Sequence, residues 1–300
     1  MLRIAYHPMY THPLPDGHRF PMIKYELLQK QLIHEGTCHH DNFFTPVFPD
    51  EENILAVHTQ AYYQQLIDLT LSPKACRKIG FPLSKALIDR ELLIADGTIK
   101  ASKYAIEHGI SFNIAGGTHH AYSDHGEAFC LLNDQAIGAQ YLLTHKLASK
   151  VLIIDLDVHQ GNGTAEIFKD EPAVFTFSMH GASNYPFRKE ESDLDIPLPD
   201  TTGDVEFLNL LERTVPQLIE TEKPDFIYYL SGVDILASDK LGKIQCSMEG
   251  CKQRDLFILT ICKEKEIPVM CSMGGGYSPD IKTIIEAHAN TYRVAQNVFF

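Results

Sequence analysis

Acidic and imidazole side chains alternate along one short run of the chain and could bind a metal ion. Asp155, Asp157 and His159 stand two residues apart, so on an extended segment their side chains turn to the same face. Another carboxylate, Asp234, lies in the separate segment SGVD. Asp157, His159 and Asp234 would form a three-ligand set with a position left open for water, as a catalytic metal requires. In the alternative interpretation, the aspartates of the run only cap the following helix and His159 is an ordinary polar residue.

Two adjacent histidines, His119 and His120, follow a pair of glycines in the segment GGTHH. The glycines permit tight backbone turns that would aim both rings into a cleft, although adjacent loop histidines are often merely exposed. Asp155 and Asn162 are the candidate partners that would fix the two ring tautomers. A histidine held by a carboxylate tends to stay protonated, whereas one held by a neutral amide suits general-base work. The pair therefore predicts two histidines with different tasks.

Tyr277 follows three consecutive glycines, and this GGGY segment comes directly after a predicted strand. A phenol opposite a metal can donate a hydrogen bond to a developing oxyanion. The alternative is a core tyrosine after a turn. Phe129 and Tyr185 lie in other loops after strands, where they could line a narrow apolar tunnel or simply pack in the core.

The elements that must position these residues alternate along the chain. Short β-branched or aromatic runs that end in glycine or polar residues predict buried strands at Leu2–Tyr6, Ser111–Ala115, Val151–Leu156, Ala173–Ser178, Phe226–Ser231 and Pro268–Ser272. Longer stretches with helical periodicity predict helices at Met22–His34, Asn133–Thr144, Phe207–Thr221, Glu249–Lys263 and Pro279–Ala295.

This alternation predicts an α/β fold with one open, mostly parallel sheet and helices on both faces. No linker, repeat or low-complexity tract divides the chain, so we expect residues 1–300 to form a single domain. Open parallel sheets bind ligands beyond the carboxyl ends of their strands. The polar segments described above follow four separate strands, and we therefore expect the active site at that edge.

Composition narrows the classes of partner. The 26 basic and 39 acidic residues give a net charge of −13, which disfavours direct nucleic-acid binding and favours a cationic ligand. No apolar run is long enough for a membrane helix, and the first residues lack the apolar core of a signal peptide. The 7 cysteines contain no C-x-x-C pair, as expected of reduced thiols. These features predict an intracellular, cytoplasmic protein without a membrane partner.

Five motifs, taken in order, resemble those of the zinc-dependent histone deacetylase family: GGTHH, DLDVHQGNGT, FSMH, SGVDILASDKLG and GGGY. The resemblance covers nearly the whole chain, and includes HPLPDGHRFPMIKYELL near its start. Asn162 stands where class I members have an aspartate, and with the compact length this is closer to class IV and bacterial members. The resemblance implies an arginase/deacetylase-like α/β fold.

The resemblance also implies a role for each candidate residue. Asp157, His159 and Asp234 would bind one catalytic Zn²⁺. His120 would be the general base and His119 the electrostatic partner and later proton donor. Asp155 would hold His119, Asn162 would orient His120, and Tyr277 would polarise the amide carbonyl. The substrate tunnel would be walled by Phe129 and Tyr185. A structural K⁺ would be held by oxygens of Asp155, Asp157, His159, Ser178 and Met179.

The implied activity is zinc-dependent hydrolysis of the amide of N-acyl-lysine, which releases free lysine and a carboxylate. Two substrate classes stay open: an acyl-lysine protein, or a small acylated amine such as acetylpolyamine. A non-catalytic acyl-lysine binding module and a dimanganese ureohydrolase on the same fold are the competing functions. The sequence does not distinguish zinc from iron, and leaves the acyl length and the oligomeric state open.

Overall fold

An eight-stranded sheet, parallel throughout, forms the centre of the molecule in the computed structural model, which describes all residues 1–300. The strand order is β2-β1-β3-β8-β7-β4-β5-β6. The strands are β1 (Arg3–Ala5), β2 (Phe43–Phe44), β3 (Ile110–Asn113), β4 (Val151–Asp155), β5 (Val174–Gly181), β6 (Leu194–Leu198), β7 (Phe226–Leu230) and β8 (Val269–Ser272). The expected open parallel sheet is confirmed.

Ten α-helices accompany the sheet. They are α1 (Lys24–His34), α2 (Glu51–Leu55), α3 (Gln60–Ile67), α4 (Pro73–Ile79), α5 (Lys85–His108), α6 (Asp134–Thr144), α7 (Asn162–Phe168), α8 (Asp204–Glu222), α9 (Met248–Glu264) and α10 (Ile281–Phe299). None of them is both long and apolar enough to cross a bilayer.

Both faces of the sheet are buried, as expected for parallel strands. Successive residues of a strand point to opposite faces. In β4, Leu152 and Ile154 belong to the larger hydrophobic core, which includes side chains of α8, α9 and α10. Val151 and Ile153 belong to a second cluster with alanines of α5 and α6. Helices therefore cover the two faces, and the predicted architecture is confirmed.

All six predicted strands and all five predicted helices are present, with ends that differ by a few residues. The two strands that the apolar pattern missed are β2 and β6, at the edges of the sheet. The first has only two residues, and the second contains Asp195 and Pro197, which interrupt an apolar run. Proline is tolerated there because an edge strand has one side without a partner.

Helical periodicity in the sequence does not predict the long helix α5 either. Its buried residues include Arg90, Glu91 and Asp96, so its buried surface is not an apolar stripe. That residues 1–300 form one domain stays a prediction.

The four central strands position the candidate site. Strands β3, β8, β7 and β4 are consecutive neighbours in the sheet, so their carboxyl ends lie side by side. Thr118 to His120 follow β3, Asp157 and His159 follow β4, Asp234 follows β7, and Tyr277 follows β8. Topology thus brings together segments that are far apart in the sequence.

Candidate active site

A buried group of two carboxylates and one imidazole lies where β4 and β7 end. Asp157, His159 and Asp234 offer ligand atoms that all lie within 4.8 Å of one another. Nδ1 of His159 is 3.0 Å from Oδ1 of Asp157 and 3.2 Å from Oδ2 of Asp234. Helix α7 has Gly161 at its N-cap and no side-chain cap, so the helix-capping interpretation of the aspartates is wrong. The three side chains instead face one another.

Backbone N–H groups donate hydrogen bonds to some, but not all, of the carboxylate oxygens of Asp157 and Asp234. Asp157 accepts hydrogen bonds from the N–H groups of His159 and Gly275 at 3.0 and 2.8 Å. Oδ1 of Asp234 accepts one from the N–H of Val158 at 3.0 Å. Oδ2 of Asp234 is buried and accepts no hydrogen bond, which is costly for a carboxylate unless a cation lies beside it.

The electrostatics of the group also fit a cation. Burial, and next the neighbouring charge of Asp157, raises the pKa of Asp234 to about 7. A Cβ atom at Gly232 or Gly275 would collide with these carboxylates, so the glycines allow the backbone to close around them. Two aspartates, one histidine and an open position suit Zn²⁺. No other group of three such side chains occurs in the chain, which disfavours a second metal ion of the dimanganese kind.

His119 is held by a carboxylate, as the sequence predicts. Its Nδ1 donates to Oδ2 of Asp155 at 2.6 Å, and its Nε2 lies 4.0 Å from Oδ1 of Asp157. Burial alone would lower the pKa of His119, but the charge of Asp155 outweighs burial and raises it. The imidazole therefore favours the protonated form.

His120 is held by an amide instead. Its Nδ1 donates to Oδ1 of Asn162 at 2.6 Å, and the amide nitrogen of Asn162 donates to the hydroxyl of Tyr122 at 3.0 Å. Burial, followed by the charge of His119, lowers the pKa of His120 well below its ordinary value. His120 is therefore neutral, and since Nδ1 carries the proton, Nε2 keeps its lone pair.

Tyr277 lies beside both histidine and aromatic neighbours at the same edge. Its ring centroid is 6.5 Å from that of His159 and 6.2 Å from that of Phe129. Burial, and then the charge of Asp234, raises the pKa of the phenol well above its usual value, so the hydroxyl keeps its proton. The backbone N–H of Tyr277 donates to Oδ2 of Asp239 at 2.6 Å, which fixes the start of this segment.

Phe129 and Tyr185 both line the opening of the site. The ring of Tyr185 meets that of His120 edge-on, with centroids 5.0 Å apart. The hydroxyl of Tyr185 donates to Glu127, which also pairs with Lys78. Phe129 has a positive φ of 70° and packs on Phe20 with centroids 5.1 Å apart. Both rings therefore have anchored positions.

Two connected spaces meet at this site. A groove of about 710 Å³ opens outward and is lined by His120, Phe129, His159, Tyr185 and Tyr277 among others. A cavity of about 40 Å³ extends inward from the same histidines towards buried side chains, among them Tyr25, Arg90 and Cys130. A molecule in the groove would reach the metal-ligand group before it reached the inner cavity.

Ser178 and Met179 lie on β5, next to the end of β4. Ser178 is paired in register with Asp155 across β4 and β5, and Met179 follows it in β5. Oγ of Ser178 lies 3.0 Å from Nδ1 of His180. A potassium ion held there stays a prediction.

Sequence reasoning missed three residues that hold the segments of the candidate site; two of them, Arg254 and Lys24, are buried. Arg254 of α9 donates to the carbonyls of Leu156, Ser231 and Gly232, which flank metal-ligand candidates. Lys24 of α1 donates to the carbonyl of Gly274 at 2.9 Å and is fully buried. Asp239 holds Tyr277 as described. Asp239 belongs to the motif SGVDILASDKLG, which could have drawn attention to it. Nothing in the sequence indicates that Arg254 and Lys24 bind carbonyl groups far away in the chain.

The family model described as "Histone deacetylase domain" matches residues 18–292. The chain belongs to the histone deacetylase family. An uncharacterised protein of Picosynechococcus is 41% identical over 99% of both chains. Histone deacetylase 2 of Arabidopsis thaliana is 28% identical over 89% of this chain and 72% of its own length.

Bacterial relatives and solved structures agree with the family. The acetoin utilization protein AcuC of Staphylococcus aureus is 25% identical over 87% of this chain and 72% of its own. The crystal structure of a histone deacetylase homologue complexed with SAHA matches with a TM-score of 0.83 and 26% identity, over 99% of this chain and 83% of the other. The HD domain of HDA15 matches with a TM-score of 0.81 at 19% identity, over 99% and 88% of the two chains, and supports the fold. The predicted fold and family are confirmed, and a hydrolase of the deacetylase type follows from them.

Proposed function

We propose that this protein hydrolyses the amide of N-acyl-lysine, or of a similar acylated amine, with one Zn²⁺. The observation that carries the proposal is a pair of histidines with different partners, His119 on a carboxylate and His120 on an amide, beside the buried Asp157, His159 and Asp234. A binding module would not need an acid and a base side by side. Hydrolysis needs both.

Asp157, His159 and Asp234 would hold the zinc ion. When bound, zinc supplies Lewis acidity and lowers the pKa of a water ligand towards about 7. The other residues handle protons and charge. His120 accepts a proton from the attacking water at Nε2, because its Nδ1 already donates to Asn162.

The water oxygen forms a bond to the carbonyl carbon, and charge develops on the former carbonyl oxygen. The hydroxyl of Tyr277 donates to that oxygen, as a donor of an oxyanion hole does. His119 then gives the proton on Nε2 to the amide nitrogen, and the carbon–nitrogen bond breaks. The proton of the new carboxyl group passes to the released amine, and the proton taken up by His120 replaces the one that His119 gave. One water and one amide therefore yield one ammonium and one carboxylate, so atoms and charge balance.

The inner cavity supports a short acyl group. A water-sized group needs about 10–15 Å³ of such space, and the cavity has about 40 Å³. An acetyl methyl group fits in that volume, whereas an octanoyl or myristoyl chain requires the surrounding side chains to move. We therefore propose acetyl as the preferred acyl group.

We also propose a cytoplasmic setting without nucleic-acid or membrane partners. All seven cysteines are free and six are buried, which suits a reducing compartment. A potassium ion near Ser178 and Met179 would stabilise the β4 and β5 ends and belongs to the same proposal.

The test is the initial rate of the zinc-loaded protein on one lysine peptide that carries acetyl, butyryl, octanoyl or myristoyl groups. Acetylated polyamine is measured alongside, and metal-stripped protein is the control. We expect the acetyl peptide to react fastest and stripping to abolish the rate. One zinc per chain with no turnover of any compound would favour the binding module instead.

A further inference from the structure

The outer groove has a charge opposite to that of the molecule. The chain as a whole carries a net charge of −13. The side chains that line the groove nevertheless include no carboxylate, and the charged ones beyond the active-site histidines are Arg19, Lys78 and Lys243. Charge at the mouth of a cleft acts on a substrate more strongly than distant charge, because exposed charges are screened beyond about 10 Å.

These three cations differ in how much of their charge is already neutralised. Lys78 pairs with the buried carboxylate of Glu127. Lys243 lies 3.7 Å from the carboxylate of Asp200. Arg19 forms no ion pair; its guanidinium carbon lies over the ring of Phe129, 4.9 Å from the centroid. Arg19 is therefore the cation available to a substrate.

The segment that carries Arg19 is anchored on both sides. Nε2 of His18 donates to the carbonyl of Gly80 at 2.9 Å, and the His18 ring is 5.9 Å from that of Phe129. Phe20 packs on the other side of the segment, 5.1 Å from the same ring. Arg19 itself is exposed between these two anchors. A guanidinium that lies over an aromatic ring of the tunnel wall and whose N–H groups have no partner presents a fork that matches a carboxylate.

We propose that the groove selects acylated amines that carry a carboxylate at the far end of the amine stem, and that Arg19 binds this carboxylate. The inference rests on the proposed function. A lysine stem in the tunnel brings its main-chain atoms to the groove, so the carboxylate is either the C-terminal group of an acyl-lysine or the side chain of an acidic neighbour. A basic peptide flank or a polyamine has the wrong charge for this groove.

The test compares matched substrates. One pair of peptides ends in acetyl-lysine, with a free C-terminal carboxylate or with an amide. A second pair carries acetyl-lysine followed by aspartate or asparagine, both amidated, and acetylspermidine is measured alongside. An exposed ion pair changes affinity by a factor of up to about five, so we expect kcat/KM to favour the carboxylate of one pair by roughly three- to fivefold. Whichever pair gives the larger ratio identifies the source of the carboxylate.

Variants connect the preference to one side chain. In Arg19→Gln we expect the carboxylate-to-amide ratio of kcat/KM to fall to about one, and in Arg19→Lys we expect part of it to remain. Arg213→Gln removes an exposed arginine of α8 and is the charge-matched control. The wild-type ratio should also fall as salt is raised to about 0.5 M. A wild-type ratio of one in both pairs, or a ratio that survives in Arg19→Gln, would overturn the inference.

Calorimetric binding of the same peptides to the zinc-loaded protein separates this inference from the proposed function. If no peptide is hydrolysed but the carboxylate peptides bind more tightly in an Arg19-dependent way, the proposed function fails and the charge selection stands. If all peptides are hydrolysed with equal rates and affinities, the function stands and the charge selection fails.

Discussion

The catalytic edge of the sheet and the entrance above it differ in burial and in charge. At the edge, Asp234 is fully buried and His120 is 5% exposed. At the entrance, Phe187 is 94% exposed and Arg19 extends into solvent. The edge contains two buried carboxylates that face one another, whereas the groove above it is lined by cations.

This difference in burial and charge suggests that the edge performs the reaction and that the entrance selects the substrate. Hydrolysis needs a desolvated acid, base and cation site, and parallel strands supply these positions rigidly at their carboxyl ends. Substrate choice needs groups that meet the solvated part of the substrate, and loops supply those. Changes at the edge should therefore affect kcat, and changes at the entrance should affect KM.

The largest effect is expected at the metal-ligand group. Asp234→Asn removes one ligand charge, so we expect the zinc content to fall from one per chain towards zero. The rate should drop by roughly 10⁴-fold, because the bound water loses most of its acidity. Metal content by mass spectrometry and initial rates measure both effects. Asp68→Asn, at an exposed site after α3, is the control. Full zinc content and rate in Asp234→Asn would exclude Asp234 as a ligand.

The next effect concerns Tyr277. Tyr277→Phe removes one hydroxyl, and single oxyanion donors contribute about 10²–10³ in kcat. We expect a loss of that size with KM and zinc content little changed. Tyr104→Phe, on α5 away from the site, is the matched control. A Tyr277→Phe variant with wild-type kcat would contradict the assigned role of the phenol.

The pH profile tests the histidine pair. His119 must be protonated to act as the acid, and Asp155 raises its pKa, so wild-type activity should persist above pH 6.5 and fall only as pH rises through the raised pKa. Asp155→Asn removes that carboxylate, so the alkaline limb of kcat should move to lower pH by about one unit or more. The acid limb should lie well below pH 6.5 in both proteins, because burial lowers the pKa of His120. An unmoved alkaline limb would mean that His119 is not the acid.

The smallest effect is expected at the tunnel wall. Glu127 accepts the hydroxyl of Tyr185 and pairs with Lys78, so Glu127→Gln loosens the wall without touching the acid or the base. We expect KM to rise by about two- to fivefold, as for the loss of a partly exposed ion pair, with kcat nearly unchanged. Glu212→Gln on the exposed side of α8 is the control. A fall in kcat with constant KM in Glu127→Gln would contradict the claim that residues at the entrance affect only substrate binding.

The sequence predicts for a physical reason that the candidate site residues lie together at one edge of the sheet. Asp157, His159 and Tyr277 each follow a strand within a few residues, and strand ends meet wherever a parallel sheet forms. The structure also pairs His119 with Asp155 and His120 with Asn162, as the sequence predicts.

Other features depend on contacts between distant parts of the chain. Lys24 meets the carbonyl of Gly274 across 250 positions, and Arg254 meets Leu156 across 98. Pro197 interrupts the apolar pattern of β6, so the sequence does not indicate a strand there. The net charge pointed to a cationic ligand, but it sums over the whole surface and does not describe the groove beside Arg19.

A product balance for the zinc-loaded protein with an acetyl-lysine peptide, followed by NMR, tests the proposed hydrolysis most directly. We expect acetate and the free lysine peptide to appear in equal amounts over many turnovers, and neither to appear with Asp234→Asn. One bound zinc per chain with the peptide left intact would contradict it.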